Sequence, residues 1–442
     1  MMERGSPDAA ALNGDAALQQ TDVLVIGGGP AGSTVATLLA RRGHQVTLVE
    51  KDQHPRFHIG ESLLPANLPL FEQLGVAEQV RAIGMQKWGA EFISPWDGRE
   101  QDFRFAEAWD KSMPYAYQVR RSQFDEILIR NAALAGAEVI EHCRVRSVEF
   151  GKRGVRIEAE HQDGRKQCWQ ARYLVDASGR DTFLANRLGA KRRNPRHSSA
   201  ALFAHFSGAR RHPDERAGHI SIYWFDHGWF WFIPLHDGAT SVGAVVWPYY
   251  LKSRSTPVDE FFLATIGLCA PLAQRLATAT LITEVEATGN YSYSSTRSHG
   301  EGYLLLGDAY AFIDPVFSSG VMLAMNSAFV GADAVDACLR APARAGAALR
   351  AFDRSVRRGP REYSWFIYRV TTPTMREMLL APRNLLRMKE ALMSVLAGDI
   401  FGRTPIWKSV RAFKLTYRIF SLLHPLRTLL AARRRSLNIR PA

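Results

Sequence analysis

Apolar and polar positions along this chain change period several times, and each change predicts an element. Residues 21–26 form an unbroken apolar, β-branched run, followed by glycines and then by a helical stretch at 33–42 that Gly43 ends. Residues 44–50 predict a second strand, so the chain opens as a βαβ unit. Short alternating segments over 87–105 predict further strands, and 121–134 predicts a helix. Residues 139–160 and 167–175 read as strands of a hairpin-rich sheet. From about 200 to 248 apolar and polar residues alternate with many aromatics, the pattern of an antiparallel sheet. Residues 303–306 are one more buried strand, and after Val321 the pattern is predominantly helical. No internal repeat is present.

Composition narrows the class. At 442 residues, with 46% hydrophobic and 22% charged positions, the sequence is that of a globular protein with a sizeable core. Cys143, Cys168, Cys269 and Cys338 are widely separated and form no CxxC pair, so neither a disulfide framework nor a metal site is expected, and a reducing cytoplasm is. Residues 1–20 are Ala-rich and polar without an apolar core, a disordered leader rather than a signal peptide. Residues 315–332 carry no charge, but their serines, glycine and asparagine favour a buried helix preceded by a functional loop over a membrane span. The net charge of +13 is concentrated: from Gly402 onward there are ten Lys and Arg and no acid. The rest is nearly balanced, so no nucleic acid partner is expected.

Gly27-Gly28-Gly29-Pro30-Ala31-Gly32 is a GxGxxG between a predicted strand and a predicted helix. Gly27 would permit the tight turn, Gly29 the approach of a pyrophosphate, and Gly32 close strand–helix packing, while the helix start, with Pro30 and Ala31, offers N–H groups to phosphate. Glu50, ending the second strand, is placed to accept ribose hydroxyls. This much indicates a dinucleotide without choosing one. Leu304-Leu305-Leu306-Gly307-Asp308-Ala309 resembles the GD motif of glutathione-reductase-type and hydroxylase-type FAD proteins, whose Asp holds the ribityl chain. Tyr173-Leu174-Val175-Asp176-Ala177-Ser178-Gly179-Arg180 resembles their middle motif, and Arg121 matches their flavin-contacting arginine. The resemblance implies FAD. Its middle motif departs from the Asp-Gly pair usual in hydroxylases that use NADPH directly, which favours reduced flavin (FADH2) delivered by a separate flavin reductase.

Trp229-Phe230-Trp231-Phe232-Ile233-Pro234 is similar to the WxWxIP signature of flavin-dependent halogenases, although an aromatic strand alone would also put both indoles on one face. Phe312-Ile313-Asp314-Pro315-Val316-Phe317-Ser318-Ser319-Gly320 resembles that family's FxxPxxSxG loop. By this resemblance the N–H groups of Ser319 and Gly320 hold the halide ion; a simple helix cap by Ser318 or Ser319 is the plainer account, and the two are compatible. Phe57-His58-Ile59-Gly60-Glu61-Ser62-Leu63-Leu64-Pro65 is similar to the halogenases' loop beside the flavin, which puts Gly60, Glu61 and Ser62 at the cofactor. It implies that Lys87, downstream, is the catalytic residue, where a lysine without that context is a solvated surface charge. The lysine would relay hypohalous acid to an electron-rich ring, as ammonium or as a haloamine. Trp229, Trp231 and Pro315 would shape the site.

The resemblance covers roughly residues 20–440. It implies an α/β fold: a Rossmann-like FAD-binding domain of the glutathione reductase and aromatic hydroxylase type (21–185 and 286–340, interleaved with sheet segments), an antiparallel substrate-domain sheet (186–285) and a helical C-terminal region (341–442). The form of the 314–320 loop is nearest the pyrrole, phenol and carrier-protein-directed halogenases, and Phe401-Gly402-Arg403-Thr404-Pro405 is similar to halogenase-like proteins of aryl-polyene pigment pathways. The acceptor would be an aromatic small molecule or one bound to an acyl-carrier protein. An aromatic monooxygenase, a geranylgeranyl-reductase-like enzyme and a flavin-binding accessory protein without turnover are the competing readings. Ile406, Val410, Phe413, Tyr417 and Phe420 recur at helical spacing, with Lys408, Arg411, Lys414 and Arg418 largely opposite and Arg433-Arg434-Arg435 beyond. Either this helix packs on its own flavin domain with a solvated basic face, or that face docks a carrier protein or makes a peripheral membrane contact.

Overall fold

The βαβ start folds around one central strand. Leu18–Ile26 runs parallel to Val46–Val49 on one side and to Lys166–Asp176 on the other, and Glu138–Ile140 and Tyr303–Leu305 extend the parallel sheet at either end. Buried on both faces, such strands read as unbroken apolar runs, as Val23, Leu24 and Val25 do. The first strand begins three residues before its apolar run, because Leu18, Gln19 and Gln20 pair with Cys168, Trp169 and Gln170 while facing solvent. The hairpin Cys143–Gly151 and Gly154–His161 joins the same sheet along the first half of Lys166–Asp176. Helix Pro30–Arg41 begins at Pro30, earlier than its polar–apolar period suggests, since proline is pre-organised for the first helical position. It packs on Arg121–Leu134 and on Gly320–Arg340. The structure, a computed structural model, describes residues 18–289, 292–402, 404–423, 429, 430 and 433. The expected leader up to residue 17, and Arg403, Arg434 and Arg435, lie outside the described residues.

The second sheet is mostly antiparallel, in the order Thr280–Leu281, Ala200–Ser207, Thr240–Val246, Gly228–Pro234, Ile220–Phe225, Gly89–Ile93 and Glu100–Arg104. Strands Gly89–Ile93 and Glu100–Arg104 belong to it although they come from the earlier part of the chain. The alternation expected for a half-solvated sheet does not hold here. Ile220–Phe225, Gly228–Pro234 and Thr240–Val246 are buried at every position. One face, with Phe230, Phe232 and Val242, packs on helices Val258–Gly267 and Ala270–Arg275 through Phe262, Ile266 and Leu272. The other, with Ile222, Trp224, Trp229 and Trp231, packs on Tyr363, Phe366, Met375, Met378, Met388 and Leu392 of the C-terminal helices.

Those helices are Pro342–Ile367, Pro373–Leu380, Met388–Leu396 and Trp407–Leu423. In the last, Ile406, Val410, Phe413 and Tyr417 are buried as the spacing predicts, while Phe420 is exposed. The stripe packs not on the flavin-binding part but on Trp365 and Phe366 and on helices Pro373–Leu380 and Met388–Leu396. Those aromatics supply the apolar surface that the stripe needs. Among the described residues, Gly320–Arg340 is the one helix long and apolar enough to cross a membrane, and 56% of its apolar window is buried inside the protein.

Gly243 fixes the aromatic face of the second sheet. It stands opposite Phe203 in one neighbouring strand and Trp231 in the other. A Cβ there would lie 2.1 Å from the Trp231 ring, so the indole lies flat over the glycine backbone. Gly243→Ala is therefore expected to destabilise the fold by about 1–3 kcal/mol, the usual range for overpacking, and to change the near-UV circular dichroism of Trp231. Urea unfolding with both probes checks it; an unchanged midpoint would show that the ring moves aside freely.

Candidate active site

The glycine motif builds one wall. Gly27 has φ +100°, and a Cβ on it would meet the Ala177 carbonyl at 2.5 Å; a Cβ on Gly32 would meet the Gly27 carbonyl at 1.8 Å. Both positions require glycine, one for the turn and one for strand–helix contact. At Gly28 a Cβ would meet the end of the Ile129 side chain at 2.6 Å, a contact that side chain can relieve, whereas Gly29 faces open space, with only Arg56 near at 3.8 Å. That opening is where a phosphate group has room above the start of helix Pro30–Arg41. Glu50 is buried at the end of its strand, its carboxylate accepting from the N–H groups of Gly28 (2.5 Å) and Asp52 (3.0 Å).

Gly27, Gly29 and Glu50 line a cavity of about 630 Å³, together with Pro30, Ala31, Gly60, Glu61, Ser62, Arg121 and Asp308. The Arg121 guanidinium donates to both oxygens of the buried Asp125 (2.8 and 2.9 Å) and to the Ile59 carbonyl (3.0 Å). It thereby fixes the loop before Gly60, whose φ of +105° turns the chain. Asp308 follows the strand Tyr303–Leu305. Among the described residues no group donates to its carboxylate, and burial pushes its pKa up to about 6, with Arg121 and Arg180 opposing. A buried carboxylate with an open hydrogen-bonding capacity suits a hydroxylated ligand chain. The residues therefore fit FAD.

The far wall comes from the second sheet. Trp229, Trp231 and Ile233 share one strand face, as period two requires, and line the cavity with Phe203, Ile220 and Pro315. The indoles are 6.0 Å apart, and Trp231 Nε1 donates to Ser241. At the cavity's edge Ser318 has φ +53°, a left-handed conformation costly for a residue with a side chain, and this turn launches helix Gly320–Arg340. Ser319 occupies the N-cap position with no side-chain capping bond, so neither serine caps the helix in the ordinary way. No protein acceptor among the described residues takes the N–H groups of Ser319 and Gly320. Gly320 borders the large cavity, and both residues border a void of about 40 Å³ beside it. Asp314 is kept occupied: it accepts from His197 (2.8 Å), Ser199 (3.1 Å) and the Val316 N–H (3.1 Å).

Lys87 does not line the large cavity; it sits behind it. Strand Met85–Lys87 pairs with Ala116–Gln118, placing Lys87 opposite Ala116, and Ser62 bridges to Gln118 on the same strand. Lys87 is 1% exposed. Its Nζ donates to Ser62 Oγ (2.9 Å) and the Leu63 carbonyl (3.0 Å) and lies 5.2 Å from the Phe105 ring centre. Burial depresses its pKa to about 7. Ser62, which does line the cavity, thus links the amine to it. Sequence reasoning missed His205, whose Nε2 donates to the Glu61 carboxylate (2.9 and 3.1 Å), and Phe57, stacked on Phe203. A histidine inside the otherwise apolar run Ala200–Phe206 was the available signal.

Residues 20–351 match the FAD binding domain family. The chondrochloren halogenase, a myxobacterial FAD-dependent halogenase of known structure, superposes with a TM-score of 0.76 at 34% identity, covering 88% of this chain and 93% of that one. The chain belongs to the flavin-dependent halogenases. Tryptophan 2-halogenase of Chondromyces crocatus is 39% identical over 71% of this chain, and the match spans 61% of that protein's length. The 1H-pyrrole-2-carbonyl-[peptidyl-carrier protein] chlorinase of Pseudomonas fluorescens is 29% identical over 86% of this chain and 90% of its own.

Asp308 gives this family member a pH signature. Its carboxyl titrates higher folded, about 6, than unfolded, so between about pH 4 and 6 the ligand-free folded state binds more protons and stability falls as pH rises. Asp308→Asn is therefore expected to stabilise the ligand-free protein at pH 8 by about 1–2 kcal/mol, to change little at pH 4, and to weaken FAD binding. Thermal unfolding across that range, with FAD titration, checks it; equal stability at pH 8 would mean that the carboxylate is well solvated.

Proposed function

We propose that this chain is an FADH2-dependent halogenase that uses dioxygen and chloride or bromide to halogenate an electron-rich aromatic ring, presented free or on an acyl-carrier protein. The observation that carries this reading is a buried amine, with no carboxylate beside it among the described residues, hydrogen-bonded to a serine of the cofactor cavity. Reduced FAD, when bound, supplies with dioxygen the oxidising equivalent that converts halide to hypohalous acid. The remaining steps belong to the protein. Gly27, Gly29, Pro30, Ala31, Gly32, Glu50, Gly60, Glu61, Ser62, Arg121 and Asp308 hold the cofactor. Ser319 and Gly320 hold the halide through N–H groups at a helix start, where the dipole favours an anion, and the adjoining 40 Å³ void is of the size that one small ion or water needs.

Lys87 then receives the oxidant. With its pKa depressed to about 7 and two N–H bonds donated, the neutral amine keeps a lone pair. Attack on hypohalous acid forms an N–halogen bond, breaks the halogen–oxygen bond and releases water; transfer to the ring forms a carbon–halogen bond, and a proton equivalent to the one the ring loses returns to nitrogen and restores the amine. Trp229, Trp231 and Pro315 shape the space in which reaction occurs. Among relatives, the Pseudomonas chlorinase is named for a carrier-bound pyrrole, which supports a carrier-bound acceptor as one form of substrate. The Asp176-Ala177-Ser178-Gly179 motif, lacking Asp-Gly, supports a separate flavin reductase.

The test couples the protein to a flavin reductase and follows halogenated phenols and pyrroles by mass spectrometry, with bromide replacing chloride. Product mass is expected to shift with the halide; oxygen uptake without any halogenated product refutes the reading. Lys87→Ala is expected to keep FAD binding and oxygen uptake and to lose halogenated product by at least a hundredfold, about 2.7 kcal/mol of transition-state stabilisation. Product formed per oxygen consumed is expected to rise as pH climbs through about 7, because the amine is the working form. The opposite slope would assign the ammonium instead. Without the reductase, NADPH is expected to leave the bound flavin oxidised.

A further inference from the structure

Among the described residues nothing packs on the outward face of helix Trp407–Leu423, yet that face is not simply polar. Opposite the buried stripe lie Leu415 (56% exposed), Ile419 (49%) and Leu422 (78%), spaced by four and three residues along one line. Leu423, Leu429 and Leu430 are exposed as well. Lys408, Arg411 and Arg418 share this face, at spacings of three, four or seven from Leu415 and Leu422, and among the described residues none of the three has an acidic partner. Lys414, grouped with them by sequence, is used internally: its Nζ meets Glu362 at 3.2 Å and lies over Trp365.

We propose that this face docks the protein on an anionic lipid bilayer, with Leu415, Ile419 and Leu422 entering the interface and the basic side chains reaching the headgroups. Clustered large aliphatic side chains in water are costly, and a monomer rarely shows such a line without a surface to cover it. Aliphatic side chains interleaved on one exposed face with arginine and lysine suit an interfacial helix, because the long basic side chains snorkel outward while the leucines enter the apolar layer. Charge selects the lipid: residues 402–442 hold ten cations and no acid. It also argues against the chain covering its own face, since the residues after Leu423 add five arginines and no acid. The face is remote from the cofactor cavity in the sense that none of its residues lines it.

The full chain is sedimented with vesicles of phosphatidylcholine alone and of phosphatidylcholine mixed with phosphatidylglycerol, at low and high salt. Binding only to the anionic vesicles is expected, weakened but not abolished by salt. Lys408→Ser/Arg411→Ser/Arg418→Ser is expected to bind about a hundredfold more weakly, since each basic residue near an anionic surface contributes about 1 kcal/mol. Leu415→Ser/Ile419→Ser/Leu422→Ser is expected to lose the salt-resistant fraction. FAD binding and circular dichroism of both variants should match wild type, confirming their folds. Wild type that fails to bind vesicles overturns the proposal, as does a leucine variant that binds like wild type. So does a face that instead pairs two copies, seen as a dimer that the leucine variant dissolves, or that binds acidic carrier protein and no lipid.

Discussion

The short segment from Ile59 to Leu64 is held from every side, and the site exists because it is. Arg121, itself locked on Asp125, holds the Ile59 carbonyl. His205 reaches across from the second sheet to the Glu61 carboxylate. The Glu61 carbonyl and the Leu63 N–H pair with Val119 and Tyr117, and Lys87 bonds Ser62 and Leu63. A single such bond contributes about 1 kcal/mol net, but breaking one strands a buried partner at a cost of about 1–3 kcal/mol. The segment therefore has no inexpensive alternative conformation. It is also where helix Arg121–Leu134, the aromatic sheet and the lysine strand are joined by hydrogen bonds.

The charges around the cavity follow from the same bonding. Glu50, Glu61, Asp125 and Asp314 are all engaged by protein donors. Arg56, Arg121 and Arg180 line the space, and two helices begin at it. The N–H groups at those two helix starts carry partial positive charge, as a pyrophosphate and a halide both need. Asp308 is the exception, a carboxylate whose pKa burial raises against the opposing charges of Arg121 and Arg180, and which no donor among the described residues reaches. A group left at that cost makes sense where a ligand supplies the missing donors.

Much of this was legible in the sequence, and the rest was hidden for identifiable reasons. The glycine motif was readable because Gly27 and Gly32 are demanded by sterics within a few residues of each other. The indole pair was readable because strand period alone puts Trp229 and Trp231 together. The second sheet misled: burial on both faces depends on helices far along the chain, so local alternation says nothing of it. The tie between Lys87 and Ser62 spans 25 residues and arises from two separate pairings to the strand Ala116–Gln118. His205 and Glu61 lie farther apart still. Long-range bonds of this kind leave only an oddity in the sequence, a lone histidine in an apolar strand. In the C-terminal helix the buried stripe was visible, but the second, exposed line of Leu415, Ile419 and Leu422 was not, since exposure is settled by what packs opposite.

Confinement ties the two ends of the chain together. An oxidant as small as hypohalous acid is guided only by walls that hold their shape, and a sheet packed on both faces supplies the rigidity. The C-terminal helices close one of those faces over Trp229 and Trp231 with Tyr363, Phe366, Met375 and Met388. The helix Trp407–Leu423 seats its inner stripe on that layer through Phe413 and Tyr417, while its outer line remains bare. A surface engaged through the outer line would hold the layer in place without touching the cavity. Docking and confinement would then be separable in energy yet share one helix, because its two faces are set by the same 3.6-residue period.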